Sequence, residues 1–262
     1  MIDTHCHLDH PAFDADRGAV LARARAAGVS DVVVPSLGPA GWSPLLAWAR
    51  GERAVHPALG IHPRLLAELP AAGDDARLAA LDEALAAGGA VAIGECGLDA
   101  EVARRGVPLA RQLAVLAGQL ALARRYGLPV SLHAVRCLEP LRALLERDGL
   151  PAGGVLHGYS GSAEQLPPLL RLGLHVSFAG AITRGGARRP LAAARAVPAE
   201  RLLLETDAPD QAPRPPGGRG EPAHLPAIVA AVAAARGAPA EEIARLTTAN
   251  ARRLFRLGGP VA

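Results

Sequence analysis

Residues 109–133 read LARQLAVLAGQLALARRYGLPVSLH, and this stretch contains the unit that decides the fold. Its first part, Leu109 to Tyr126, carries leucine and alanine at helical spacing between polar and arginine positions. Gly127 follows, as glycine commonly does at the end of a helix. The β-like run Val130 to His133 comes next. A helix followed at once by a strand predicts one unit of an α/β fold.

The same alternation continues along the whole chain. The β-like runs are Met1 to His5, Asp31 to Pro35, Ala54 to Gly60, Ala90 to Gly94, Val130 to His133, Val155 to His157, His175 to Phe178 and Leu202 to Glu205. Helix-like stretches between and after them include Asp16 to Ala27, Asp75 to Ala87, Leu109 to Tyr126, Ala163 to Leu172 and Pro239 to Phe255. Eight such repeats predict a parallel sheet closed into a (β/α)8 TIM barrel, with an open doubly wound sheet as the main alternative.

Length and composition agree with one large domain over residues 1–262. The chain has 262 residues, close to the size of about 250 that one such barrel needs. Half of the residues are hydrophobic but only 3% are aromatic, which predicts an aliphatic core. The formal charge of +3 is compatible with a phosphate-bearing substrate, and it is well below that of a dedicated nucleic-acid-binding protein.

Cysteine usage and hydropathy bear on the compartment. The three cysteines, Cys6, Cys96 and Cys137, have no CxxC spacing, which favours neither a disulfide framework nor a structural zinc site. The first residues lead directly into a motif without a signal-like segment, and no later run is long and apolar enough to span a bilayer. We therefore expect a cytoplasmic protein without a membrane partner, and we favour a monomer.

Histidines and carboxylates stand where the β-like runs end. In a strand, side chains alternate between faces, so His5 and His7 point the same way while Cys6 points to the other side. Further such residues end or follow the later runs, namely His62, Glu95, His133, His157 and Asp207. A barrel brings these strand ends to one rim, where the active sites of this fold lie.

This set of donor groups predicts a metal site. Imidazole nitrogen and carboxylate oxygen are ligands of zinc, manganese and related divalent ions, and the six groups other than His62 are too many for a single tetrahedral ion with an open position. We therefore expect two divalent ions, zinc, magnesium or manganese, and Glu95 has the two oxygens that a bridge needs. A carbamylated lysine bridge is excluded because the chain contains no lysine.

The ordered motifs resemble those of the TatD family of metal-dependent DNases over essentially the whole chain. They read DTHCHLD, GIHP, GECGLD, VLHGYSGS, LLLETDAP and TTANARRLF. The resemblance implies a (β/α)8 fold, divalent metal dependence and phosphodiesterase activity, typically as a 3′-to-5′ DNA exonuclease, so we expect DNA or another phosphodiester as the partner.

The resemblance also implies roles for individual residues. His5, His7 and Asp207 would join Glu95 on one metal, and His133 and His157 would complete the second with Glu95 as the bridge. Asp207 would also orient the attacking water and take its proton, so Asp207 and Glu95 are the predicted catalytic residues. His62 matches a family position near the substrate. The alternative role for His62 is structural, as a histidine at a strand end that is hydrogen-bonded to a neighbouring residue.

Two departures from the family pattern concern the substrate. The usual H-x-R reads His133-Ala134-Val135, with Arg136 one place later, and the Asn-x-Pro of the final loop reads Arg219-Gly220-Glu221-Pro222. We expect Arg136 and Arg64 to bind a substrate phosphate, since both follow strands on the catalytic side. An ordinary solvated surface position is the alternative for both arginines.

Other readings of the same residues stay open. The metal site would equally serve a small-molecule amide or ester hydrolase, including an aminoacyl-tRNA deacylase, or a barrel kept as a non-catalytic binding module. Tyr159 and Phe178 are the only obvious aromatic candidates near the rim, which argues against a long stacking platform for single strands. The Pro- and Gly-rich stretch Ala208 to Pro226 is either a rim or lid or a loose connection.

Overall fold

The computed structural model describes residues 1–150, 152–214 and 218–258. These residues form eight strands, β1 (Ile2–Asp3), β2 (Asp31–Pro35), β3 (Val55–Leu59), β4 (Ala92–Asp99), β5 (Val130–Val135), β6 (Gly154–Leu156), β7 (Leu174–Phe178) and β8 (Leu202–Leu204). They also form helices α1 (Arg17–Ala26), α2 (Pro39–Gly51), α3 (Asp74–Ala86), α4 (Ala100–Arg104), α5 (Leu109–Tyr126), α6 (Leu138–Asp148), α7 (Leu166–Arg171), α8 (Arg188–Ala196), α9 (Leu225–Arg236) and α10 (Ala240–Phe255).

Strand order follows chain order. The strands of the described residues form one sheet in the order β1 to β8. The pairs β1–β2, β3–β4, β4–β5, β5–β6 and β7–β8 are parallel. Sequential parallel strands with intervening helices have the strand order of the (β/α)8 fold that the sequence predicts.

Strand β4 is longer than the sequence predicts. It continues five residues beyond Gly94, because the register shifts between Ile93 and Cys96 and the run from Cys96 to Asp99 then pairs with β5. The predicted end at Gly94 was wrong. Glu95 therefore lies at an irregularity within β4, and Asp99 is the residue that ends the strand.

The predicted helix Ala163 to Leu172 begins differently from the expectation. Residues Ala163–Gln165 form a 3₁₀ turn, and α7 starts only at Leu166. Two prolines follow Leu166, in the first turn of the helix, where a missing backbone N–H breaks no helical hydrogen bond.

The described residues group into two compact units. The first comprises Met1–Val34, His157–Leu170 and the chain from His175 onward, and α8, α9, α10 and β8 pack together within it. The second comprises Pro35–Leu156 and Arg171–Leu174, and α5 packs on β4 and against α3 and α6 within it. The single domain over residues 1–262 stays a prediction, and its last four residues lie outside the described part of the chain.

No single helix of the described residues is long and apolar enough to cross a bilayer. The segments Pro222–Arg236 and Ala240–Phe255 reach that length and hydropathy only when they are taken together, and the chain bends by 109° between them.

The loop after β8 is tied to the start of α1. Arg219 donates to Asp16 at 2.7 and 2.9 Å, and Glu221 accepts two bonds of 2.8 Å from Arg23. The guanidinium carbon of Arg219 also lies 4.6 Å from the ring centre of Phe13. Arg219 and Glu221, which lie in the stretch without the Asn of the family's Asn-x-Pro, therefore tether this part of the predicted Ala208–Pro226 loop. Residues 215–217 of that loop lie outside the described residues.

Candidate metal centre

In the first unit, the residues that follow β1 present two imidazoles to each other, because β1 ends at Asp3 and not at the predicted His5. The Nε2 atoms of His5 and His7 lie 3.3 Å apart, and their rings meet edge to face with centroids 5.0 Å apart. His5 is fully buried, and 15% of the His7 side chain is exposed. The predicted convergence of these two side chains is present in the structure.

Asp207 closes the same group of donors. Its Oδ1 atom lies 3.8 Å from Nε2 of both His5 and His7. The backbone N–H of Asp207 donates to the carbonyl of His5 at 2.9 Å, and its φ of 53° places it in the left-handed region. Gln211 donates to the other carboxylate oxygen, Oδ2. Two nitrogens and one carboxylate oxygen thus converge from the residues after β1 and from the residues after β8.

Asp3 holds the two chain segments in this register. Its carboxylate accepts hydrogen bonds from the backbone N–H and the hydroxyl of Thr206, at 2.9 and 2.5 Å, and from the N–H of His5 at 3.3 Å. Burial raises the pKa of Asp3 to about 7, although these bonds lower it. Asp3 therefore fixes the backbone that carries His5 and Asp207.

His157 and Glu205 form the buried side of the first unit's cluster. The His157 ring stacks on that of His5 with centroids 3.8 Å apart and planes 6° from parallel. The Oε1 atom of Glu205 accepts the Gly158 N–H at 2.5 Å and lies 3.6 Å from Nδ1 of His157. Burial raises the pKa of the Glu205 carboxyl, but the His157 and His5 rings outweigh it and leave the pKa below its ordinary value.

Glu205 was not predicted as a site residue. Its side chain is completely buried, and its Oε2 atom has no hydrogen-bond partner. Ligand atoms of Glu205, His5 and His157 lie within 4.8 Å of one another. The alternation of strand side chains offered a signal, because Glu205 stands two residues before Asp207 in the motif that supplied Asp207.

In the second unit, Glu95 is the centre of a buried cluster. Its Oε1 atom lies 2.9 Å from Nδ1 of His133 and 3.0 Å from Nε2 of His62. All three side chains are at least nine-tenths buried. The structure therefore brings together the predicted ligands Glu95 and His133 with the predicted substrate residue His62.

The backbone next to Glu95 requires glycine. Gly97 has a φ of 146°, and a Cβ built on it would lie 2.0 Å from the carbonyl oxygen of His133. The close approach of β4 to β5 at this point explains why the motif is Gly-Glu-Cys-Gly, and it sets Glu95 beside His133.

The His62 ring is committed at both nitrogens. Its Nδ1 atom accepts the backbone N–H of Arg64 at 3.0 Å, so a neutral His62 carries its proton on Nε2 and donates it to Glu95. A nitrogen that donates a proton does not ligate a metal. The geometry therefore agrees with leaving His62 out of the ligand set, and the assignment of a substrate contact to His62 stays a prediction.

Asp99 is a second buried carboxylate that was not predicted as a site residue. Its Oδ2 atom lies 3.2 Å from Nε2 of His133, and its Oδ1 atom caps α4 by accepting the N–H groups of Glu101 and Val102. Burial raises the pKa of Asp99, but the bonds from His133 and from these N–H groups outweigh it, and the pKa lies well below its usual range.

Two buried glutamines of α5 hold the backbone of this cluster. Gln112 exchanges two hydrogen bonds with the backbone of Asp99, at 2.8 and 3.1 Å. Gln119 does the same with Ile61, next to His62, at 2.7 and 3.1 Å. Sequence reasoning missed both, although two glutamines seven residues apart lie on one face of a helix and so signal a shared task.

The predicted phosphate-binding arginines flank the start of α4. Arg136 pairs with Glu101 at 2.7 Å, and Nε of Arg64 lies 3.6 Å from Oδ2 of Asp99. Their side chains are 70% and 67% exposed. Both arginines of the second unit are thus accessible, and their role toward a substrate stays a prediction.

The aromatic candidates for stacking are not accessible. Tyr159 is 5% and Phe178 is 1% exposed, and the two rings pack edge to face with centroids 6.0 Å apart. The Tyr159 hydroxyl donates to the carbonyl of Ser162. Neither ring offers a face on which a nucleobase would stack.

The donor groups of both clusters fit a divalent metal. His5, His157 and Glu205 converge in the first unit, and Glu95 and His133 meet in the second. The unpartnered, buried Oε2 of Glu205 is the kind of polar atom that a cation would satisfy. The assignment of six residues to two ions, with Glu95 as their bridge, stays a prediction.

The chain is similar in sequence to a known family of metal-dependent hydrolases. Residues 2–256 match the model of a family described as TatD related DNase. The uncharacterized metal-dependent hydrolase YjjV of Escherichia coli K12 is 38% identical over 260 residues, which cover 97% of each protein. The 3′-5′ ssDNA/RNA exonuclease TatD of Erwinia tasmaniensis is 38% identical over 272 residues, which cover 98% of the chain and 100% of the relative.

A solved structure of similar sequence has the same fold. The crystal structure of the TatD homolog YJJV from Escherichia coli K12 aligns with a TM-score of 0.91 at 37% identity, covering 98% of both chains. The predicted (β/α)8 fold is therefore confirmed.

Proposed function

Because the chain belongs to the TatD-related DNase family of metal-dependent hydrolases, we propose that it is a phosphodiesterase that removes nucleotides from the 3′ end of DNA. The observation that carries the proposal is the convergence of His5, His7 and Asp207, whose donor atoms lie 3.3 to 3.8 Å apart. The Erwinia tasmaniensis relative is named as a 3′-5′ exonuclease of single-stranded DNA and RNA, which supports the choice of substrate.

We assign the ligands as the sequence predicts. His5, His7 and Asp207 would hold one divalent ion with Glu95, and His133 and His157 would hold a second with Glu95. Zinc and manganese suit this mixture of imidazole and carboxylate, and magnesium is the further candidate. When bound, such ions supply Lewis-acid chemistry that activates water near neutral pH and polarises a phosphoryl group.

The protein's own side chains then orient the reaction. Asp207 is 13% exposed, so its carboxylate reaches solvent and is placed to accept the proton of an attacking water. Glu95 accepts the Nε2 proton of His62, which fixes the carboxylate beside Nδ1 of His133. Arg64 and Arg136 are accessible guanidinium groups that would bind the phosphates next to the scissile bond.

The buried aromatic rings favour a second candidate function, the hydrolysis of a small substrate. Since Tyr159 and Phe178 offer no stacking surface, the site also suits a small amide or ester, including the ester of an aminoacyl-tRNA. The same metal chemistry acts on a carbonyl carbon.

We also expect the protein in the cytoplasm, since Cys6, Cys96 and Cys137 are buried free thiols.

The direct test is hydrolysis of a 5′-labelled single-stranded oligonucleotide by protein stripped with a chelator and reloaded with manganese, magnesium or zinc. We expect a ladder that shortens from the 3′ end, and we expect a phosphorothioate linkage at that end to block it. Asp207→Asn should abolish the ladder. Asp82→Asn is the matched control. Among the described residues, the Asp82 carboxylate accepts hydrogen bonds from the side chains of Tyr126 and Arg125, neither of which is a predicted site residue.

Two outcomes would decide against the proposal. The absence of shortening with all three ions would contradict a nuclease. Metal-dependent cleavage of an aminoacyl ester or an amide by the same preparations would then favour the second candidate.

A further inference from the structure

Asp99 touches the His133 ring on the side opposite Glu95. Its Oδ2 atom lies 3.2 Å from Nε2 of His133, while Nδ1 of the same ring lies 2.9 Å from Oε1 of Glu95. Asp99 is 1% exposed and Glu95 is 2% exposed, so solvent does not compete for either contact. The two nitrogens of His133 therefore face two different buried carboxylates.

The Asp99 carboxylate is held in place independently of His133. Gln112 bonds the N–H and the carbonyl of Asp99, at 2.8 and 3.1 Å, which fixes the backbone. Oδ1 caps α4 by accepting the N–H of Glu101 at 2.8 Å and that of Val102 at 3.3 Å. With backbone and Oδ1 both fixed, Oδ2 has one position, and that position is the one beside His133.

A carboxylate at that position decides where the imidazole carries its proton. An ionised carboxylate only accepts hydrogen bonds, so the nitrogen that faces Asp99 must be the donor. A neutral imidazole has a single N–H, and placing it on Nε2 leaves the lone pair on Nδ1. Nδ1 is the nitrogen that faces Glu95, the predicted bridging ligand.

We propose that Asp99 is a positioning residue that fixes His133 as the Nε2–H tautomer and so presents Nδ1 as the metal-binding nitrogen. The inference rests on the proposed function, because it requires that a divalent ion binds at Glu95 and His133. A carboxylate behind a metal-bound histidine commonly orients the ring and raises its basicity, and its loss weakens metal binding by about 10- to 100-fold.

The first experiment is Asp99→Asn, measured by competition for zinc with a chromogenic chelator. Asparagine is as good a helix cap as aspartate, so its Oδ1 can keep the bonds to α4 while an NH₂ donor replaces Oδ2. That donor forces the acceptor role onto Nε2 and the proton onto Nδ1. We expect zinc affinity to fall by about 10- to 100-fold with little change in melting temperature.

Two further variants separate positioning from capping. Asp99→Ser keeps a capping hydroxyl but is too short to reach His133, so it should also lose zinc affinity. Asp82→Asn, the same chemical change in α3 of the second unit, should bind zinc like the unsubstituted protein. Equal zinc affinity in Asp99→Asn and Asp82→Asn would overturn the proposal.

A second measurement needs no change at Asp99. In zinc-loaded protein with ¹⁵N-labelled histidine, the signals of His133, assigned by their loss in His133→Gln, should show a proton on Nε2 and none on Nδ1. A protonated Nδ1 would overturn the positioning role while leaving metal dependence intact. Failure of the unsubstituted protein to bind zinc, manganese or magnesium would contradict both this inference and the proposed function. Zinc binding through Nδ1 without nuclease activity would contradict the proposed substrate alone.

Discussion

The Nε2 atoms of His5 and His7 lie 3.3 Å apart and face each other in the segment that follows β1. Two lone pairs at that separation repel, so a proton or another cation must lie between these nitrogens. Asp207 Oδ1, 3.8 Å from each of them, adds negative charge at the same point. This is the arrangement that we expect of two ligands of one divalent ion.

Replacement of His7 should weaken metal binding. We expect His7→Ala to lower the affinity for zinc or manganese by more than about 10-fold, since even outer contacts of a metal site are worth that much. His10→Ala is the matched control, because His10 is exposed and its Nδ1 only accepts the Ala12 N–H at 3.0 Å. Isothermal titration calorimetry of the two variants checks the prediction, and equal affinities would remove His7 from the ligands.

Glu95 and His62 should differ in their effect on metal content. Glu95 Oε1 contacts two imidazoles, whereas the Nδ1 of His62 is occupied by the Arg64 N–H. We therefore expect Glu95→Ala to lose more bound metal than His62→Ala. Elemental analysis of both purified variants measures this directly, and equal metal content would count against Glu95 as the bridge.

The close approach of β4 to β5 at Gly97 should make the fold sensitive to any side chain at this position. Gly97→Ala puts a Cβ 2.0 Å from the His133 carbonyl oxygen at a φ of 146°, so we expect a loss of about 3 kcal/mol or more in the free energy of unfolding. Gly106→Ala isolates the backbone effect, because Gly106 also has a positive φ, 103°, but nothing lies within 4 Å of its Cβ. Denaturant unfolding should show the larger loss for Gly97→Ala, and similar losses would mean that the close contact is unimportant.

Arg64 and Arg136 should bind the substrate through its phosphates. With both changed to alanine, we expect the KM for an oligonucleotide to rise and its salt dependence to flatten, because fewer counterions are released on binding. Hydrolysis of a minimal chromogenic phosphodiester should change little. Arg142→Ala, which breaks pairs with Glu139 and Glu146 on α6, is the control. Unchanged oligonucleotide kinetics in the double variant would exclude these arginines from substrate binding.

Local sequence pattern predicted much of the fold. The bounds of β2, Asp31–Pro35, agree with the prediction, and α10 begins one residue later than predicted. The sequence pattern predicted the wrong end for β4, and the error has a physical cause. The register shift beside Glu95 depends on glycines that lie close to β5, and such a contact between strands cannot be predicted from hydropathy.

In the candidate site too, local pattern predicts some residues, whereas tertiary contacts decide others. The convergence of His5 and His7 was predicted from strand alternation, which is local, although both residues lie beyond the end of β1 at Asp3. The role of Asp99 depends on a ring that lies 34 residues away in the chain, and the tether at Arg219 depends on Asp16, which lies 203 residues away. The residue types of these partners are visible in the sequence, but only the tertiary structure decides which of them meet.

We propose that six side chains hold two divalent ions, namely His5, His7, Glu95, His133, His157 and Asp207. Anomalous diffraction at the metal edge from crystals of zinc- or manganese-loaded protein tests it most directly. We expect two peaks, each about 2.0–2.2 Å from its histidine nitrogens and carboxylate oxygens, with Glu95 contacting both. A single peak, or peaks outside the reach of these six side chains, would contradict the account.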